Sequence, residues 1–327
     1  MLQQGLAVLH TGFYPFGNTP AVCLTQNLPP EAPAKILILG CGDLRNVLFT
    51  NHSDGARRKL DFTCCDIEAA VIARGILLAS LLIDDANGQH TTSNWNIYFH
   101  QYLSSADHVR LIAQARKLRS HSGSIDTWRE SEYGKAIRFC DRITLDQVSK
   151  VWDFYLDESN RSRVEAKMKS EKPANSHLNL SGMRSTAPAF HIGFQAIVDT
   201  HENFWKQGST DTDLAALPKE QKYPNPMLVS PRVAAKLHGG ENPLLGFHLA
   251  TAFVPLDDKS PFAKASKEGT NLRKAVAAAR TEFSLWSESF RKQAKDRITL
   301  RFFVGDGIAF AQSLQHRRRT GSLTGAS

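Results

Sequence analysis

The 327-residue chain is short of the features that mark several protein classes. No apolar run reaches the ~18–20 residues of a bilayer-spanning helix, so no membrane span is expected. Met1 to Thr11 has neither a basic start nor a long apolar stretch, which argues against a secretory signal. Cysteines are few, odd in number and scattered: Cys23, Cys41, Cys64, Cys65 and Cys140. That excludes a disulfide framework and points to a reducing, cytoplasmic setting. No C-x-x-C pair and no H-E-x-x-H occurs, so no metal site is expected. A G-x-S-x-G elbow and a phosphate-binding G-x-x-x-x-G-K-[ST] loop are also missing.

What is present suits a folded core. Hydrophobic residues make up 42% and charged residues 22%, which excludes wholesale disorder. Forty Lys+Arg against 32 Asp+Glu gives a formal charge of +8. The basic residues are dispersed. The one dense run, Arg317-Arg318-Arg319, opens a tail over 317–327 rich in Gly, Ser and Thr, expected to be disordered. No basic patch interleaved with aromatics accompanies it, so nucleic acid is not an expected partner.

Residues 1–34 read as an extended lead-in punctuated by Pro15, Pro20, Pro29, Pro30 and Pro33. Lys35 to Leu39 is a short apolar run ending in glycine, the pattern of a strand buried on both faces of a parallel sheet. Leu44 to Thr50 follows as a helix with Asp43 as its cap. Leu60 to Cys65 reads as a second strand ending at Asp66, and Ile67 to Ile83 as a buried crossover helix. Strand–turn–helix–strand–helix opens a doubly wound α/β sheet, here the first part of a Rossmann-like core over 35–90.

Residues 91–270 read as a mainly helical insertion, with Thr144-Leu145-Asp146-Gln147 as a capping box for the helix carrying Val148, Trp152 and Tyr155. Ala189 to Trp205 is a further helix, 207–245 is mostly loop, and Gly246 to Pro255 is a short strand or buried loop. Over 271–316 the chain returns to the sheet: a helix from Asn271 to Lys295, a strand from Ile298 to Val304, and a helix from Ile308 to about Gln315. Adjacent Cys64 and Cys65 point to opposite sheet faces and read as buried thiols. His248, between Phe247 and Leu249, reads as a hydrogen-bonded core histidine, and the aromatic run from Trp95 to His100 as core.

Three strand ends share one design: Gly40-x-Gly42-Asp43 after the first, Asp66 after the second, Asp306 after the third. Ligands of open α/β sheets sit at the carboxyl ends of the strands. This layout resembles that of S-adenosylmethionine-dependent methyltransferases. The resemblance implies cofactor binding by Gly40, Gly42, Asp43, Asp66 and Asp306, with Asp66 on the ribose and Asp306 on the adenine. The motif departs from that family at Ile38, where an acidic residue is usual, and at Leu44, where a third glycine is usual and a leucine is expected to crowd the ligand. The plainer reading is that Asp43, Asp66 and Asp306 are helix caps, and a cap can also face a ligand.

Phe13-Tyr14-Pro15-Phe16-Gly17-Asn18-Thr19-Pro20, Leu39 to Leu48, Asp61 to Glu68, Trp95 to Tyr98, Arg138 to Asp141, Pro243 to Ala250 and Arg301 to Asp306 together resemble a fungal domain-of-unknown-function family, number 4470. The family is often paired with MYND-type zinc fingers and also forms the N-terminal part of dynein axonemal assembly factor 3. The resemblance implies a cytoplasmic assembly or interaction protein on an incomplete methyltransferase-like parallel sheet with a large helical insertion. The alternative is an active S-adenosylmethionine-dependent methyltransferase. Family members continue into further strands, so this chain looks like a shortened member. The strand at 35–39 is then expected to be a sticky sheet edge that a partner covers.

Overall fold

The computed structural model describes residues 12–54, 58–175, 194–212, 223–232, 236–237, 242–254 and 256–319. In chain order the elements begin with β1 (Gly12–Phe13), β2 (Ala34–Leu39), α1 (Arg45–Ser53), β3 (Leu60–Asp66), α2 (Ala69–Asp84) and α3 (Thr91–Phe99). Next come β4 (Tyr102–Leu103), α4 (Ser105–His121), α5 (Ile125–Glu130), β5 (Ile137–Phe139), α6 (Arg142–Leu156), α7 (Arg161–Asn175) and α8 (Phe194–Gln207). They close with β6 (Tyr223–Pro224), β7 (Lys236–Leu237), α9 (Ala263–Ser266), α10 (Asn271–Gln293), β8 (Ile298–Val304) and α11 (Gly307–Arg319).

One four-stranded sheet organises these elements, all parallel, in the order β2-β3-β8-β5. The segments around Lys35, Leu60 and Ile298 therefore lie side by side and point the same way, as expected. β2 is an edge strand, pairing only with β3 among the described residues. The fourth strand, β5, was not foreseen: it comes from the stretch read as helical and pairs Ile137 with Leu300 and Phe139 with Phe302. Three residues are too few for a period to be seen in sequence. The partner strand, paired through residues 163 positions further along the chain, holds them extended.

Register sorts the side chains onto two faces. On one face lie Ile36 and Ile38, then Phe62 and Cys64, Leu300 and Phe302, Ile137 and Phe139. Helices α2 and α6 pack on this face, and α10 packs on α1 and α8. Helix α2 is buried nearly all round, from Ala70 to Ile83, as a central crossover must be. The other face carries Lys35, Leu37 and Leu39, then Asp61, Thr63 and Cys65, Thr299, Arg301 and Phe303, and Arg138. It is largely open. Leu37 and Leu39 are 38% and 48% exposed, so the expectation that this strand is buried on both faces is corrected. Helix α11 turns back onto it through Phe310, stacked on Phe303 at 4.3 Å.

Several boundaries moved for local reasons. Helix α6 starts at Arg142 because Asp141 accepts from Thr144 N at 2.7 Å, so Asp141 is the cap. The Thr144 hydroxyl instead accepts from Val304 N, tying helix to strand. Pro243–Gly246 and Leu249–Ala252 are short 3-10 turns, not a strand. Helix α11 continues to Arg319 rather than ending near Gln315, and the rest of the tail lies outside the described residues. Residues 189–193 of the helix expected from Ala189 lie outside them too.

Candidate functional site

At the carboxyl end of β2 the chain must turn sharply into α1, and two glycines carry the turn. Gly40 and Gly42 both sit in the left-handed region, at φ +62° and +56°, where an L side chain is strained. A Cβ added at either would meet nothing within 4 Å, so the turn faces open space. Cys41 N donates to Cys65 O at 2.9 Å, continuing the ladder to the tip of β3.

Asp66 closes this turn from the neighbouring strand. Its Oδ2 accepts from Gly42 N at 3.1 Å and its Oδ1 from Glu68 N at 3.0 Å. Burial pushes its carboxyl above the ordinary value, opposed by those backbone donors. The cap of α2 is Glu68, whose carboxylate accepts from Ala70 N, so Asp66 braces the glycine turn and Glu68 starts the helix. At the tip of β8, Gly305 N donates to Asp66 O, and Asp306 caps α11 through Ile308 N and Ala309 N. Four of the residues singled out in sequence, Gly40, Gly42, Asp66 and Asp306, thus meet at adjoining strand tips.

Asp43 has another role. Its Oδ2 accepts from Gly17 N at 2.7 Å and its Oδ1 from Arg45 N at 3.1 Å. Arg45 reaches on to the Thr19 hydroxyl. Asp43 therefore clamps the lead-in and lines a narrow cleft with Leu44, Tyr98 and Phe247 on the helical side. Leu44 is buried and packs 3.5 Å from the Cβ position of Gly75, so the expected crowding of the tip by Leu44 does not occur.

The lead-in is a strap along α1, and its polar fastenings were not visible in sequence. Leu24 N donates to the Thr50 hydroxyl, Val22 N to Asn46, and Thr25 to Asp54. Arg58 donates to Pro29 O and Ala32 O. Arg74, fully buried on α2, donates to Pro15 O and to Tyr98 O, and its guanidinium lies 4.0 Å from the Tyr98 ring centroid. His248 is hydrogen-bonded on both nitrogens as expected, Nδ1 to Glu282 at 3.0 Å and Nε2 to Ala21 O at 2.9 Å, but it is half-buried rather than core.

Sequence reasoning also missed an apolar rim. Leu39, Ile67, Ile143 and Ile308 each follow or end a different strand of the sheet, and all four are exposed. Three contacts bring them together: Gly307 lies against Leu39, Gly305 N donates to Asp66 O, and Val304 N donates to the Thr144 hydroxyl.

Residues 15–104 match the family model described as Domain of unknown function (DUF4470), which supports that domain over less than a third of the chain. No curated protein and no solved structure matches. The matched segment holds the strap, the glycine turn, Asp66 and Arg74. No helix among the described residues is long and apolar enough to cross a membrane.

Proposed function

We propose that this chain, matched over 15–104 to a domain of unknown function, is an interaction module rather than a catalyst, on a methyltransferase-like sheet with a degenerate cofactor motif. The observation that carries the reading is the exposed apolar material at one end of the sheet, Leu39, Ile67, Ile143 and Ile308, next to the free edge of β2. A parallel sheet left bare at its edge and on one face invites an added strand from a partner protein. The resemblance to the N-terminal part of a dynein assembly factor favours a cytoplasmic assembly role, and five free cysteines suit a reducing compartment.

The second reading is S-adenosylmethionine binding, favoured by the open space at Gly40 and Gly42 and by the carboxylates of Asp66 and Asp306 beside them. Against it, the Gly42 N–H already serves Asp66. The two readings separate by experiment. A photocrosslinking residue at position 37, on the open face, should trap one partner, and that partner should form a complex when both are purified. The same residue at position 120, exposed on α4, should not. A clean monomer with no adduct from position 37 overturns the interaction reading. Saturable heat with S-adenosylmethionine, abolished by Asp66→Ala, would establish the second.

A further inference from the structure

At the β5 edge of the sheet, three arginines from three elements line one cleft. We propose that this cleft, between α5, β5 and β8, binds a phosphate monoester group. Its lining is Arg129, Arg138 and Arg301 with Ile125, Trp128, Phe139 and Cys140. No carboxylate lines it.

Sheet register makes the charge arrangement costly. Arg138 and Arg301 are direct register partners on neighbouring strands and share a face. Like charges placed opposite each other in a sheet repel. Arg301 is neutralised by Asp61, with Nε to Oδ1 at 2.9 Å and Nη2 to Oδ2 at 3.2 Å. Arg129 has a longer pair with Asp126 at 3.5 Å, whose side chain is 83% exposed. Arg138 has no hydrogen bond or ion pair among the described residues, although it is half-buried. A guanidinium held in that position carries five donors and nothing to receive them.

The remaining lining strengthens an anion's hold. Trp128 is fully buried, its indole N–H spent on Ile137 O, and Phe139 is buried beside it. These walls keep water from screening one side of the cleft. The Cys140 side chain at the mouth is exposed, and a thiol is uncharged at neutral pH, so it does not oppose an anion. With Arg301 Nε and Nη2 spent on Asp61 and Arg129 Nη1 near Asp126, the donors left are the whole Arg138 fork, Arg301 Nη1 and the rest of Arg129, still more than the two oxygens of a carboxylate can use. The three terminal oxygens of a phosphate monoester match them better.

The test is calorimetry at constant ionic strength with inorganic phosphate, adenosine monophosphate and a phosphoserine peptide, against acetate and the unphosphorylated peptide. At least one phosphate should bind saturably at about millimolar affinity or tighter, and acetate about tenfold more weakly. Whichever phosphate binds tightest identifies the source: free anion, nucleotide or modified partner. Arg138→Gln should weaken that binding about tenfold or more with the thermal midpoint unchanged. Should that variant prove unstable, Arg129→Gln, at an exposed side chain, must weaken binding in the same direction. No saturable heat from any of the three phosphates overturns the proposal. So does wild-type affinity in both variants.

Discussion

Two histidines set opposite limits on stability. His100 is fully buried, accepts or donates one bond with the Thr210 hydroxyl, and is held down to about 4 because burial disfavours its charged form. Its unfolded value lies near 6.5, so the unfolded chain binds the proton first as pH falls. The contribution of neutral His100 is complete above about 6.5 and is lost progressively toward pH 4, by about 3 kcal/mol at ~1.4 kcal/mol per unit. His248 is the reverse. Both ring nitrogens face acceptors, the Glu282 carboxylate and Ala21 O, so only the imidazolium can donate to both. Its value is raised, chiefly by the hydrogen bond to Glu282. That contribution is complete below about 6.5 and disappears as pH rises through the raised value. Of the groups nearby, His52 is held down by burial. Thermal midpoints measured against pH should therefore peak near 6.5. His100→Asn should flatten the acid limb and His248→Gln the alkaline limb. Unchanged limbs in both variants would remove these residues from the account.

At the level of elements, the strap over 14–33 and helix α1 hold each other through side-chain bonds to backbone. Arg74 is the deepest of these fastenings, a buried cation with no carboxylate partner among the described residues, balanced by two carbonyls and two aromatic faces. Arg74→Met leaves Pro15 O and Tyr98 O without donors. It should cost about 3 kcal/mol or more in urea unfolding, since charged hydrogen bonds contribute ~1.5–3 kcal/mol each. Asp43→Ala removes the acceptor for Gly17 N and should speed hydrogen exchange at residues 16–20 while leaving exchange in β8 unchanged. These fastenings explain what sequence could and could not tell. Strands at 35–39, 60–66 and 298–304 were legible because each is a run of apolar or alternating residues closed by glycine or aspartate. The helix from Ala69 was legible as a long apolar stretch and the helix from Asn271 by its amphipathic period. The strap contacts join residues 24 to 59 positions apart, as in Val22 with Asn46 and Pro15 with Arg74, and no local pattern encodes such a pairing. Strand β5 escaped for the same reason: Ile137–Phe139 is extended only because Leu300 and Phe302 hold it. The glycine turn and the three carboxylates were found, but their partners were not. Asp43 serves the strap, Asp66 the turn and Asp306 a helix.

Over the whole molecule, the difference between the two faces of the sheet decides which substitutions matter. Helices seal one face, and Leu300 there is fully buried at the centre of β8. Leu300→Ala should cost about 2–5 kcal/mol, as cavities in sealed cores do. The other face carries Leu37 and Leu39 in solvent. Substituting them removes no packed contact, so Leu37→Thr with Leu39→Lys should stay within about 0.5 kcal/mol of wild type for each change. Association is where the pair should act. An edge strand with apolar side chains on its open face templates pairing with another chain, and a lysine there blocks it. Light scattering after size exclusion should show the wild-type chain associating as concentration rises and the double variant monomeric. The two measurements together separate the faces: a loss of stability without a change in association would mean that the face carrying Leu37 and Leu39 is core, and the docking role assigned to it would fail.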